Sequence, residues 1–478
     1  MRDYVLTYIN GVRHEVRGSD ARRSLSDYLR RQLGLVGTKI VCSEGDCGAC
    51  SVLLGRRSED GIYYQAVDAC IVFLFQLDLT HIVTIEGLAK SGGLSAIQQA
   101  MVDCNGSQCG FCTPGFVMTM TGMAENGCTA SSDSLKYGLT GNLCRCTGYM
   151  AIIEAGMAAS TAEQRRIGEI FPPIPMLADF EVYADEAVEV TDSSGKSIFS
   201  PVRCEEALAY RSDNLQALIV SGATDIGVRV NKGFQLPDKV LALNKLTELT
   251  EIKLLDGKLV IGARASWTAV EAAYRDLVPR FHRILNVFGS PQIRNMGTIG
   301  GNIINASPIA DSLPFLHVMD AELVLESKSQ GIRTVSINEF YHGYKKFDLR
   351  PTELLTSIHV PLPEATDLLG LYKVSRRRDL DISSFTAAIR LRIDDNTISF
   401  ARVTFGGVGP LVLRARDTES FLLGRSFSEA TLREAGDLAA AEVAPISDVR
   451  GSADYRLRLA RNVLLKFFFE NQPELSSV

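Results

Sequence analysis

The chain has 478 residues, 46% of them apolar and 22% charged, with a formal net charge of −6. That length exceeds what one hydrophobic core serves, so about three or four domains are expected. The mild charge gives no electrostatic basis for binding nucleic acid or an anionic membrane, and eleven cysteines are too sparse for a secreted disulfide scaffold.

The amino terminus, Met1 to Tyr8, has no long apolar core and no small-residue cleavage site, so no secretory signal is expected. Residues 2–16 alternate polar and apolar, with Asn10-Gly11 between the two runs, which predicts a β-hairpin closed by a type I′ turn. Leu25, Tyr28, Leu29 and Leu33 fall at helical spacing behind Ser24, a good N-cap. A cysteine loop follows, then a strand over Ser51–Leu54 and a charged hairpin near Arg56–Gly61. The most apolar run, Cys70 to Leu79, is broken by Gln76 and Asp78 and is too short to span a bilayer. A reducing, cytoplasmic home is expected.

From Gly93 to about Ala159 the periodicity turns helical. Leu94, Ile97 and Met101 keep one face; Phe116, Val117, Met120 and Met123 keep another, behind Pro114; Leu135 and Leu139 precede a second cysteine loop, and Tyr149 to Ala158 closes the set. Phe171-Pro-Pro-Ile-Pro175 predicts a stiff extended stretch within a linker. Short strands and helices then mix as in an α/β domain. After Pro361-Leu-Pro363 the reading is α+β, with strands over Ile389–Ile393 and Ile398–Phe405 and helices over Ser428–Glu442 and Ser452–Phe468. The expected fold is α+β multidomain, with a ferredoxin-like β-grasp domain over 1–88 and a helix bundle over 89–165. A linker covers 166–197, a non-Rossmann α/β domain 198–366, and a C-terminal α+β domain 367–478.

Eight cysteines form two sets. Cys42, Cys47 and Cys50 crowd one loop, with Cys70 alone downstream, the C-x4-C-x2-C…C spacing of plant-type [2Fe–2S] ferredoxins. Four thiolates also hold zinc, but structural zinc sites usually show two short cysteine pairs on separate knuckles. Cys109 and Cys112, with Cys144 and Cys146, form a second set whose spacing suits zinc as well as iron. Two clusters in one chain make a wire, which points to electron transfer. Cys104, Cys128 and Cys204 fit neither set and read as buried thiols or incidental surface residues. The six histidines show no ligand spacing, and no G-x-G-x-x-G, Walker A or G-x-S-x-G motif occurs. Two glycine-rich segments, 219–227 and 297–311, could cradle a pyrophosphate through backbone N–H groups, although glycine turns are common in large α/β domains.

The stretches Gln108-Cys-Gly-Phe-Cys-Thr-Pro-Gly115, Gly141-Asn-Leu-Cys-Arg-Cys-Thr-Gly-Tyr149 and Glu44-Gly-Asp-Cys-Gly-Ala-Cys-Ser51 resemble signatures of the molybdenum hydroxylase family. The resemblance implies a [2Fe–2S] cluster in each cysteine set, with Gln108 and Cys146 on the side facing molybdopterin. It further implies FAD held by Ser221, Gly222, Ala223, Thr224, Thr298, Gly301, Asn302, Ser307 and Asp311. Phe288 and Leu355 would pack near the isoalloxazine and Lys373 would lie close to the ring. The Arg376-Arg-Arg378 loop is either a solvated charge run or a neighbour of the flavin that influences NAD⁺ access. The family's molybdenum domain has no counterpart in these residues. The arrangement resembles the iron–sulfur/FAD subunit of the split xanthine dehydrogenases within that family. A large molybdopterin-binding partner in an α₂β₂ assembly is then implied, with NAD⁺ as acceptor. The alternatives are a related enzyme acting on an aldehyde or another N-heterocycle, and a non-catalytic iron–sulfur redox protein.

Overall fold

The computed structural model describes residues 1–89, 93–160 and 165–472. Residues 90–92, 161–164 and 473–478, which the expected bundle and C-terminal domains include, lie outside the described residues. The chain forms two compact units, Met1–Glu248 with Ser290–Gly297, and Leu249–Gly289 with Thr298–Val478.

The first unit begins with the expected hairpin. Strands β1 (Val5–Ile9) and β2 (Val12–Val16) pair antiparallel around Asn10 and Gly11, both at positive φ (50° and 77°), as a type I′ turn requires. With β3 (Ser51–Ser58), β4 (Gly61–Asp68) and β5 (Thr80–Val83) they build a five-stranded sheet in the order β2-β1-β5-β3-β4. Only β1 and β5 run parallel. Helix Leu25–Arg31 crosses this sheet, and the Ser24 side chain accepts the Asp27 N–H, the predicted cap. This is a β-grasp layout with Leu25, Leu29, Val52, Leu54 and Phe73 in its core.

Helices Ala96–Asp103, Thr113–Glu125, Ser132–Gly138 and Met150–Ala159 form the bundle. Ile97, Met101, Phe116, Met120, Leu135 and Ile152 share its core. Leu94 leaves the predicted face: it is 54% exposed and precedes the helix, because Ser95 and Gln98 form a capping box that starts the helix at Ala96. The linker reading needs correction. Helices Ile167–Ile170 and Ile174–Val182 occupy its first half, and Pro173 and Pro175 sit at the opening of the second helix. A proline there costs the helix nothing, since the first-turn N–H groups have no intrahelical partner. Phe171 between these helices is buried against His81, with ring centroids 5.1 Å apart.

The first unit ends in a four-stranded mixed sheet of Val188–Thr191, Ser197–Ser200, Lys239–Ala242 and Leu218–Val220, in that spatial order. The short helix Pro291–Met296 also belongs to this unit.

The second unit holds two sheets. A five-stranded antiparallel sheet runs in the order Ile252–Leu255, Lys258–Gly262, Leu354–Pro361, Glu322–Ser327, Gly331–Ser336. It packs on helices that include Trp267–Leu277 and Leu313–Val318, around Tyr274, Phe281 and Phe315. A four-stranded antiparallel sheet begins at Asp367–Val374 and carries strands Phe385–Asp394 and Thr397–Gly406. It is covered by helices Glu429–Glu442 and Ala453–Glu470, capped by Ser428 and Ser452 as their sequence suggests. No helix among the described residues is long and apolar enough to cross a membrane.

Candidate functional site

Between helix Leu25–Arg31 and β3 the backbone has no regular structure, and this loop carries Cys42, Cys47 and Cys50. Ser43 and Gly45 at φ 58° and 71° turn it sharply, and the Cys42 sulfur accepts the Glu44 N–H at 3.4 Å. Cys70 comes from the turn after β4. Cys47, Cys50 and Cys70 are buried and Cys42 is half-buried. The four thiols neighbour one another in a chain, Cys47 to Cys42 to Cys70 to Cys50. Hydrogen bonds from Cys47 and Cys70 hold the Cys42 thiol far below its usual range, and the same contacts push Cys47 and Cys70 up. Four thiols packed this tightly cannot all ionise unaided; a cationic iron core would supply the missing charge. Beside them Asp68, 1% exposed, accepts from Cys50 at 3.7 Å, and burial pushes its carboxyl up to about 7.

The second set gathers likewise. Cys109 and Cys146 are exposed, with sulfurs 3.6 Å apart, while half-buried Cys112 meets buried Cys144. Burial and then Cys144 push the Cys112 thiol up to about 12. Burial would raise Cys144 too, but it is lowered overall by donors: the Thr147 hydroxyl at 3.1 Å and the backbone N–H groups of Thr147 and Cys146, both at 3.4 Å. Backbone and hydroxyl donors aimed at sulfur are what an iron–sulfur cluster requires of its loop. Among the described residues no three His, Cys, Asp or Glu side chains close on one point as ligands of a single ion would. A two-iron cluster asks only for a pair of thiolates on each iron, and pairs are present in both sets. Cys104 and Cys204 are half-buried and Cys128 is exposed, apart from both tetrads.

The loops touch one another. The Leu143 N–H donates to the Cys47 carbonyl at 3.0 Å, and the Asn142 side chain donates to the Gly48 carbonyl at 3.1 Å. Gly48, at φ 63°, permits this approach, since a Cβ there would stand 2.4 Å from the Gly141 oxygen.

The first glycine-rich segment also lies in the first unit. Strand Leu218–Val220 leads through Ser221, Gly222 and Ala223, the last at φ 61°, into helix Thr224–Asn231. The Ser221 hydroxyl is buried with no partner, and a Cβ at Gly222 would stand 2.1 Å from the Met296 oxygen. A strand–turn–helix with a free buried hydroxyl fits a pyrophosphate. At the helix's far end the Asn231 amide donates to the carbonyls of Ser43 and Cys70, both at 2.9 Å, and Lys232 pairs with Glu44 at 2.6 Å.

The other flavin candidates fall in the second unit. Thr298 caps helix Ile299–Asn305, accepting the Gly301 N–H at 3.2 Å. Asn302 accepts from Ser312 at 2.7 Å, and Ser307 accepts the Ile309 N–H at 3.4 Å. Phe288 stands edge-on to Trp267 at 4.9 Å, and Leu355 is buried. Lys373 is no bare cation: its ammonium donates to Asp311 at 2.7 Å, Ser383 at 2.7 Å and the Asp381 carbonyl at 2.9 Å. Arg376, Arg377 and Arg378 are exposed, and the Asp381 carboxylate accepts the N–H groups of the first two. Gln108 is exposed beside Cys109. Asp68, Asn231 and Gln292 have no motif of their own, and Asn142, though inside the 141–149 signature, is not marked out by it; their contacts emerge only from the fold.

Four family matches tile the chain. They are a 2Fe-2S iron-sulfur cluster binding domain over 7–71, a [2Fe-2S] binding domain over 84–157, an FAD binding domain in molybdopterin dehydrogenase over 192–363, and a CO dehydrogenase flavoprotein C-terminal domain over 370–471. The chain is 31% identical to xanthine dehydrogenase of Blastobotrys adeninivorans, over 96% of this chain and 40% of that protein. It is 28% identical to xanthine dehydrogenase 1 of Arabidopsis thaliana, over 97% and 39%. It thus spans about two fifths of the length of these relatives. Among solved structures, carbon monoxide dehydrogenase from Hydrogenophaga pseudoflava matches with TM-score 0.54 and 28% identity, over 56% of this chain and 94% of that one. Quinoline 2-oxidoreductase from Pseudomonas putida 86 matches with TM-score 0.52 and 26% identity, over 57% and 94%.

Proposed function

We propose that this chain, which belongs to the molybdenum hydroxylase family and carries its paired [2Fe–2S] and flavin domains, is the electron-transfer subunit of a split xanthine dehydrogenase in the cytoplasm. Cys42, Cys47, Cys50 and Cys70 would hold one cluster, and Cys109, Cys112, Cys144 and Cys146 the other. Ser221 to Thr224, with the segment from Thr298 to Asp311, would hold FAD. When bound, the clusters supply one-electron relays and FAD supplies the two-electron step to NAD⁺.

The protein's own part is placement and charge. Helix Thr224–Asn231 opens at the pyrophosphate loop and closes on the carbonyls beside Cys42 and Cys70, tying one cluster loop to the flavin segment. The exposed Cys109 and Cys146, with Gln108 and the exposed Phe111 and Met150, form the side a larger molybdopterin-bearing partner would cover. Asp311 neutralises Lys373 and holds its ammonium in one place. The observation that carries this reading is the assembly of both thiol tetrads with their loops hydrogen-bonded together.

The test is anaerobic co-expression with the molybdopterin-binding partner. About four irons and one FAD per chain are expected, with NADH oxidation by an artificial acceptor from this chain alone and xanthine-dependent NAD⁺ reduction only from the complex. The same relay serving an aldehyde or another N-heterocycle is the second reading. It is favoured by the likeness to a quinoline oxidoreductase, and a complex that turns over such a substrate but not xanthine would select it.

A further inference from the structure

Helix Pro291–Met296 comes from the flavin stretch of the sequence, yet it sits among the iron–sulfur loops of the first unit. Its Gln292 is 1% exposed. The Gln292 amide donates to Asn142 Oδ1 at 2.9 Å and lies 3.3 Å from both the Ser51 and Thr119 hydroxyls. These three residues, each at most 3% exposed, belong to three different parts. Asn142 stands two residues before Cys144, Ser51 follows Cys50, and Thr119 lies in the bundle helix behind Cys112.

From Cys47 to Cys144 the route is covalent except at one point, where the Leu143 N–H meets the Cys47 carbonyl at 3.0 Å. Electrons tunnel better along bonds and hydrogen bonds than through gaps, so this one link sets the quality of the route. Asn142 guards it by donating to the neighbouring Gly48 carbonyl. An asparagine amide can point that donor correctly only if its oxygen finds a donor in turn, and Gln292 supplies one. Backbone crowding adds precision, since a Cβ at Gly115 would stand 2.0 Å from the Gly48 oxygen. The Gln292 oxygen itself is buried with no partner, beside Gly141. An apolar side chain here would leave the buried Asn142 oxygen without its donor, so the amide serves to orient Asn142 and not merely to fill space.

We infer that Gln292 is a positioning residue for electron passage between the two clusters, acting through Asn142 on the Cys47–Leu143 hydrogen bond. The inference rests on the two-cluster relay proposed above and adds to it a residue from outside both cluster domains.

Gln292→Leu and Gln292→Glu test it in the cluster-loaded chain without partner, substrate or NAD⁺. Hydrogen–deuterium exchange should quicken about tenfold in the peptide containing Leu143, as expected for one lost buried hydrogen bond, with helix Thr113–Glu125 unchanged. Freeze-quench EPR after rapid reduction should show slower equilibration between the clusters and an altered magnetic interaction between them. Unchanged exchange would overturn the inference. So would quickened exchange with equilibration and spectra like the parent's, because the role would then be structural only. Should Gln292→Leu fail to retain iron, the same readings on Gln292→Glu decide. A chain that shows these effects but never reduces NAD⁺ would leave this inference standing and defeat the dehydrogenase reading.

Discussion

Asp78 offers a severe single perturbation of the first unit. Its side chain is fully buried between two cations. Arg2 donates twice, at 2.9 and 2.7 Å, Lys245 donates at 2.5 Å, and the Leu6 N–H adds a fourth bond at 2.9 Å. Arg2 also pairs through its backbone with Ala187 and Glu189, and Lys245 lies just beyond strand Lys239–Ala242. One carboxylate therefore fastens the amino terminus, the β-grasp sheet and the strand that pairs with Leu218–Val220. Asp78→Asn strands Arg2 and Lys245, at 4% and 6% side-chain exposure, with Glu186 the one other carboxylate paired to Arg2 among the described residues, at 3.4 Å. Breaking a buried pair in this way costs about 3–5 kcal/mol. For a unit of this size that is a fall on the order of 10 °C in Tm. Urea unfolding followed by far-UV circular dichroism and flavin fluorescence would measure it. Adding Lys245→Met should restore part of the loss by removing one stranded charge. Burial already holds the Lys245 ammonium below its usual range against the pull of Asp78, so the cost of Asp78→Asn should shrink as pH rises and Lys245 sheds its proton. A variant within about 1 kcal/mol of the parent at pH 7, below the range expected for a broken buried pair, would refute the reasoning.

Two further outcomes are expected. His317 is fully enclosed and its imidazole is lowered to about 4, chiefly by burial. Because the unfolded chain binds the proton first, His317's contribution is complete above about pH 6.5. It is lost as pH falls toward 4, by up to about 3 kcal/mol; acid unfolding of His317→Gln should lack that slope, and an unchanged slope would assign it elsewhere. Asn231→Ala removes two amide-to-carbonyl bonds beside Cys42 and Cys70, worth about 1–3 kcal/mol together. The ferredoxin-type cluster should then lose iron faster on chelator challenge while the bundle cluster keeps pace with the parent; equal loss from both would contradict this placement.

Much of the local structure was legible because its signals are local. Asn10-Gly11 demands positive φ at both positions, and Ser24, Ser428 and Ser452 each accept a first-turn N–H within their own segment. The first cysteine set was legible because its thiolate spacing is itself a motif; the second, whose spacing suits zinc as well, was legible only through the residues around it. The stretch 172–175 misled because proline both stiffens an extended chain and opens a helix, and only the residues that follow choose between them. The pairing of Lys373 with Asp311 was not legible, because the two are distant in sequence and meet only through the fold. Gln292 and Asn231 were invisible for the same reason: each acts on a cysteine loop far upstream of it.

EPR spin quantitation on the anaerobic, dithionite-reduced chain, compared with Cys47→Ser and Cys144→Ser variants, tests the paired tetrads most directly. Two distinct S = 1/2 signals of about one spin each are expected, with Cys47→Ser perturbing one and Cys144→Ser the other. A single signal, or a chain that binds zinc in either tetrad with no spin at all, would contradict it.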